Sequence, residues 1–158
     1  MRRPLTPGEV ALARRVFGDA IDYAPVTVVR RKWAFFQPRQ VVMAPRGHIH
    51  FHPGGELWRE DFASAPLDAQ GLFIHELVHV WQHQQGVFLP IARHPWCRYD
   101  YAMKPGQAFR RYGIEQQAEI VRHAFLLREG LPVAGAPALS QYETLVPFRG
   151  DRVSGPNI

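Results

Sequence analysis

His75-Glu76-Leu77-Val78-His79 places two imidazoles four residues apart, with a carboxylate beside the first. On a helix, positions four apart lie about one turn from each other on the same face. Both rings can then reach one cation while Glu76 faces the remaining coordination position. The surrounding residues fit such a helix. Set at about 100° per residue, Phe73, Ile74, Leu77, Val78, Val80 and Trp81 fill one continuous arc, and His75, Glu76, His79, Gln82 and His83 fill the other. From Gly71 to Gly86 the sole formally charged residue is Glu76, whereas a solvated helix face normally carries Lys, Arg or Glu. The polar arc is therefore expected to look into a cleft, as a metal site does and a pair of surface histidines does not.

A catalytic zinc takes three protein ligands and keeps a fourth position open. In Tyr112-Gly113-Ile114-Glu115-Gln116-Gln117-Ala118-Glu119, Gly113 marks a helix start. That helix is predicted to run to about Glu129, with Gly130 as its stop and Pro132 beyond. Glu115 and Glu119 share one of its faces, beside an apolar arc of Ile114, Ile120, Val121, Ala124, Phe125 and Leu127. The helix can thus pack on the first and present two carboxylates, Glu115 as third ligand and Glu119 as acceptor for a ligand imidazole N–H. Two like charges at this spacing destabilise a bare helix, so a cation or an arginine partner is expected. His94, in His94-Pro95-Trp96, is the second candidate for third ligand. His83 lies a further turn along the first helix, too far round to complete a tetrahedron. Gln82 and Gln85 stand where a metzincin has its glycine and third histidine, which excludes that pattern.

His75-Glu76-Leu77-Val78-His79, followed by a helix carrying Glu115 and Glu119, resembles the gluzincin clan of HExxH metallopeptidases. The resemblance implies a zinc ion, Glu115 as third ligand and Glu119 as support for a histidine. More narrowly, Ile74 to Gln82, Tyr99-Asp100-Tyr101 and Glu115 to Glu119 resemble small bacterial Vgr-related or Rhs-associated HExxH proteins, linked to type VI secretion and other contractile injection systems. The likeness covers roughly residues 60 to 130. Gluzincins usually carry Asn before the ligand Glu and Asp as the supporting acid, where this sequence has Ile114 and Glu119.

With 158 residues, 46% of them hydrophobic, the chain is expected to form one zincin-like domain over residues 1–158, with 150–158 as a tail. No apolar run approaches the length of a membrane helix, so no membrane insertion is expected. Behind Met1-Arg2-Arg3 no apolar segment follows, since Glu9, Arg14, Arg15 and Asp19 interrupt it, and a secretory signal is not expected. The single cysteine, Cys97, allows neither an internal disulfide nor a cysteine-based zinc site. Lys and Arg total 19 against 14 acids, but they are dispersed, which argues against a nucleic-acid stripe. A cytoplasmic protein exported by a route that needs no signal peptide is the expected location.

Thr6-Pro7-Gly8-Glu9 reads as a capping box opening a helix to about Ala20. Val26 to Arg31, Gln40 to Ala44 and Gly47 to His52 read as strands, and Tyr99 to Met103 as a further strand or hairpin arm. His48, His50 and His52 fall on one side of their strand, too spread out to share one ion; the strand is expected to border the cleft and pair with an extended substrate. Trp33, Phe35, Phe36 and Trp58 are expected in the core. The order of β-rich half, motif helix, loop and ligand helix predicts an α+β fold, a short mixed or antiparallel sheet packed on the motif helix and a second ligand-bearing helix.

Zinc on His75, His79 and Glu115 would lower the pKa of water toward ~7, with Glu76 as general base. The expected reaction is hydrolysis of an amide bond in a peptide or protein, peptidoglycan peptide included, with a secretion-system protein as a further partner. Tyr101 is the chosen oxyanion donor, among Tyr99, His94 and Arg98 from a loop at 90–106 expected to act as a lid. Two other classes fit the motif. A histidine third ligand with a basic surface is similar to SprT-like DNA-associated proteases, and a metal-stabilised adaptor would keep the site for folding alone.

Overall fold

The capping box forms. Thr6 Oγ1 accepts from the Glu9 amide at 3.0 Å and the Glu9 carboxylate accepts from the Thr6 amide at 2.9 Å, starting α1 (Pro7–Phe17) with Pro7 at its first position. The helix stops at Phe17 and not near Ala20, because Gly18 turns the chain at a φ of 54°. A computed structural model describes residues 1–89 and 99–151. His94, Trp96, Cys97 and Arg98 lie outside the described residues.

Ahead of α1, Arg2–Pro4 form a strand, β1, that the sequence pattern did not suggest. It pairs antiparallel with β2 (Thr27–Val29), which pairs parallel with β3 (Ile49–His50), giving a mixed sheet in the order β1-β2-β3. The strand expected from Gln40 to Ala44 is reduced to one bridge: Met43 and His50 exchange both backbone hydrogen bonds, at 3.1 and 2.7 Å. This corrects the expectation that the His48 to His52 strand offers its edge to a substrate. At His50 the chain itself fills that edge. Residues 99–103 are irregular, neither strand nor hairpin arm.

The motif helix is α2 (Leu67–Gln84). Both of its arcs are buried from Phe73 to Gln82, so it runs through the middle of the protein. Its apolar arc meets a column of stacked rings, Phe51 on Phe62 at 5.4 Å and Phe62 on Phe73 at 5.1 Å between centroids. Its polar arc meets α3 (Ile114–Arg128). Gln116 reaches back to accept from the Gly113 amide at 2.8 Å, and the far end closes as a Schellman motif at Gly130, with Leu131 N–H donating to the Leu126 carbonyl and Gly130 N–H to that of Leu127. The two helices approach closely where Gly71 has no side chain: a Cβ there would lie 3.0 Å from Leu126 Cδ2. A short helix, α4 (Leu139–Leu145), buries Tyr142 against α3. With four helices and a three-stranded mixed sheet among the described residues, the fold is α+β as expected.

Two placements differ from expectation. Gly150 and Asp151, read as the start of a tail, lie against α1: the Asp151 amide donates to the Arg14 carbonyl at 2.9 Å and its carboxylate accepts from Arg14 Nε at 2.8 Å. Phe148 draws them there, packing on Phe17 and Trp81 with centroids 4.8 and 4.9 Å away. Trp58 is in the core and Trp33 is half-buried, but Phe35 and Phe36 stand in solvent.

The sheet is tied to α1 by a buried ion pair. Arg3 donates to both oxygens of the fully buried Glu9 at 2.9 Å, and the Thr6 and Phe62 amides supply two further donors. Replacing one partner leaves the other's charge uncompensated. Glu9→Gln is expected to destabilise the fold by about 3 kcal/mol, read as a lower midpoint with an unchanged slope in urea unfolding.

Candidate metal centre

The packing of α2 on α3 brings together three groups that the sequence named. His75, His79 and Glu115 are buried, and one ligand atom of each lies within 4.8 Å of the others. His75 Nε2 is 3.2 Å from Glu115 Oε2, His79 Nε2 is 3.1 Å from Glu115 Oε1, and the two imidazole Nε2 atoms are 3.3 Å apart. Ligands held about 2.05 Å from a tetrahedral cation sit about 3.3 Å from one another. The spacing therefore suits a metal ion, and the donor set of two imidazoles and a carboxylate suits the class to which zinc belongs.

The opposite ring nitrogens are held as metal ligands require. His79 Nδ1 lies 2.8 Å from Gln82 Oε1. The amide nitrogen of Gln82 is committed to the Ile114 carbonyl and to Gln117 Oε1, both at 3.0 Å, so its oxygen must accept and His79 carries its proton on Nδ1. Gln117 in turn donates to the Tyr112 carbonyl at 2.9 Å. Position 114 thus serves through its backbone carbonyl, whatever its side chain. His75 Nδ1 is 3.3 Å from Glu119 Oε2, the contact expected of Glu119. The sequence places Gln82 on the polar arc of the motif helix without a role, and its signal is an uncharged amide three residues past His79.

Glu76 is buried, with Oε1 4.0 Å from His75 Nε2. The carboxylates dominate the electrostatics. Burial opposes a charge on His75, but Glu115 and Glu119, with Glu76 behind them, overcome it and push its pKa up to about 9. Glu119 is held below the usual carboxylate range: burial works the other way, and His75 and Arg122 prevail. The positive partner expected for the Glu115 and Glu119 pair is thus His75 itself, joined by Arg122 3.7 Å from Glu119.

Tyr99 stacks on His75, centroids 6.1 Å apart and planes 17° from parallel. Tyr101 lies further out, half-buried, its hydroxyl 2.6 Å from both His123 Nδ1 and the Tyr142 hydroxyl. Tyr99, Tyr101, Glu119, His123 and Tyr142 line one open cleft of about 560 Å³, walled opposite by the small residues 133–137. His83 is exposed, packed beside Gly47 and away from the ligands. His48, His50 and His52 turn to separate partners, Thr27 Oγ1, the Arg31 carbonyl and the Gly54 amide, and form no cluster. His94 lies outside the described residues.

No family model matches the sequence. Over 144 residues, 85% of this chain, it is 42% identical to the type VI secretion system spike protein VgrG2b of Pseudomonas aeruginosa, of whose length the match spans 14%. The solved structure of the effector domain of that protein superimposes with a TM-score of 0.74 at 42% identity, covering 81% of this chain and 75% of that domain. An identity of this size over most of both domains, joined to the shared fold, places the chain in the family of the VgrG2b effector domain.

Proposed function

We propose that the chain is a zinc-dependent hydrolase of peptide amide bonds, with His75, His79 and Glu115 as metal ligands and Glu76 as general base. The convergence of three buried ligand atoms 3.1 to 3.3 Å apart, with the Glu76 carboxylate beside them, carries this reading. Zinc held there supplies a charge that polarises a carbonyl and acidifies water. Glu76 takes a proton on its carboxylate and returns it to the departing amine. Gln82 and Glu119 fix the tautomers, and Tyr99 shields one flank of His75 from water. The cleft beside Glu119 receives part of the substrate. Tyr101 is the oxyanion donor of this reading, and to serve it exchanges its bond to His123 or Tyr142 for one to the substrate.

Kinship with an effector domain of a spike protein supports delivery by a type VI secretion system after synthesis in the cytoplasm. A peptide or protein, including the peptide part of peptidoglycan, is the substrate, and a secretion-system protein is the carrier. One observation favours a second reading, a metal-stabilised adaptor without catalysis: Met43 fills the strand edge on which a peptide would have been laid.

Glu76→Gln is expected to keep zinc and fold while lowering digestion of a peptide library or of peptidoglycan by about 10²-fold or more. An unchanged rate sinks the mechanism. Zinc-loaded wild type that cleaves neither substrate leaves the adaptor. Glu115→Ala is expected to lose zinc by metal analysis, and loss on His94→Ala instead moves the third ligand to His94 and the assignment toward the SprT-like class. Tyr101→Phe is expected to reduce turnover without changing zinc content; equal turnover removes Tyr101 from the reaction.

A fourth expectation concerns pH. Because His75 has its folded-state pKa raised from 6.5 to about 9, its charge stabilises the metal-free fold fully below pH 6.5. That stability, on the order of a few kcal/mol, is lost as pH rises through 9. Zinc competes with the same proton, so its apparent affinity should climb across this window. Thermal unfolding with chelator should show a midpoint falling from pH 6.5 to 9, and the zinc-loaded protein should lack that fall.

A further inference from the structure

Between β2 and β3 the chain reads Arg30-Arg31-Lys32-Trp33-Ala34-Phe35-Phe36-Gln37-Pro38-Arg39. Phe35 and Phe36 are 88% and 60% exposed, their rings edge to face with centroids 5.3 Å apart. The loop holds them there. Gln37 is buried; its side-chain oxygen accepts from the Trp33 amide at 2.8 Å, and its amide group donates to the carbonyls of Val41 and His50 at 2.8 and 2.9 Å. The Gln37 backbone closes the turn on Ala34 at 3.0 Å. Two adjacent phenylalanines kept in water by a buried amide are an apolar tip, not a loose segment folded badly.

Positive charge flanks the tip in the sequence, with the Arg30 guanidinium over the Trp58 ring at 5.9 Å. Arg30, Arg31, Lys32 and Arg39 are exposed, and none of them makes an ion pair among the described residues. The Lys32 ammonium donates to the Phe35 carbonyl at 3.2 Å, and Arg39 lies beside His52 across Gly54. We propose that this loop docks on an anionic lipid bilayer, Phe35 and Phe36 entering the boundary between headgroups and acyl chains while Arg30, Arg31, Lys32 and Arg39 meet lipid phosphates. No described helix is long and apolar enough to cross a membrane. The charge pattern selects this occupant. An apolar groove on a protein would leave four cations uncompensated. Single-stranded nucleic acid stacks its bases on the faces of aromatic rings, whereas these two rings pack edge to face on each other at 85°.

The test is sedimentation of the whole chain with vesicles of phosphatidylcholine alone or with added phosphatidylglycerol, at low and high salt. The chain should bind the phosphatidylglycerol vesicles at low salt and release from them as salt rises. The double variant Phe35→Ser/Phe36→Ser should lower partitioning about tenfold or more, and Arg31→Gln or Arg39→Gln about fivefold each. All three variants should keep the wild-type thermal midpoint, since these side chains are exposed. Absence of binding, equal binding to both vesicles, or binding untouched by the double variant overturns the proposal. So does light scattering that shows a dimer dissolved by the double variant, or single-stranded DNA binding that depends on the phenylalanines; these would assign the tip to a second copy or to nucleic acid.

Discussion

Everything in this fold is arranged around a concentration of negative charge between α2 and α3. Glu76 and Glu115 are buried and Glu119 is mostly so, all within reach of the His75 ring. Buried carboxylates so close together are tolerable only around a cation. In the protein alone the imidazolium of His75 supplies it, gripped by carboxylates at both ring nitrogens. A metal ion would take over that role with twice the charge. The apolar stacking of Phe51, Phe62 and Phe73 on the other side of α2 pins the helix in position, so that the charged face has no freedom to swing out to water.

The site was legible in the sequence to the extent that it obeys helical period. His75 and His79, and Glu115 and Glu119, are each one turn apart, so each pair shares one face of its helix. The end of α3 was legible too, because a glycine after a helical run followed by a proline admits few other backbone paths. What escaped was set by contacts distant in sequence. β1 is held where Arg3 reaches the buried Glu9 and the Arg59 carbonyl, and nothing in a charged tripeptide ending in proline announces a strand. Phe35 and Phe36 were assigned to the core on hydrophobicity alone, whereas the partner that decides their position is Gln37, a polar residue whose burial no pattern signals.

The polar chain behind His79 shows how a small domain builds precision without a large core. His79, Gln82, Gln117 and the Tyr112 carbonyl form one continuous line of hydrogen bonds from α2 through α3 to the turn before it. The Gln82 amide group donates to both Gln117 and the Ile114 carbonyl, and amide groups do not change charge state with pH. The far ring nitrogen of His79 is thus held by a neutral amide and that of His75 by a carboxylate, while the near nitrogens of both rings meet Glu115.

Gly71 sets the scale on which this arrangement can be tuned. It precedes His75 by one helical turn on the same face, and opposite it Leu126 and Arg122 of α3 fill the space a side chain would occupy. The distance between the helix axes is fixed at this contact, and the separation of Glu115 from the two imidazoles follows from it as the opening of a caliper follows from its hinge. The smallest possible side chain at position 71 thus works as a gauge of how near Glu115 comes to the two imidazoles, and an added methyl group there must first displace the Leu126 side chain.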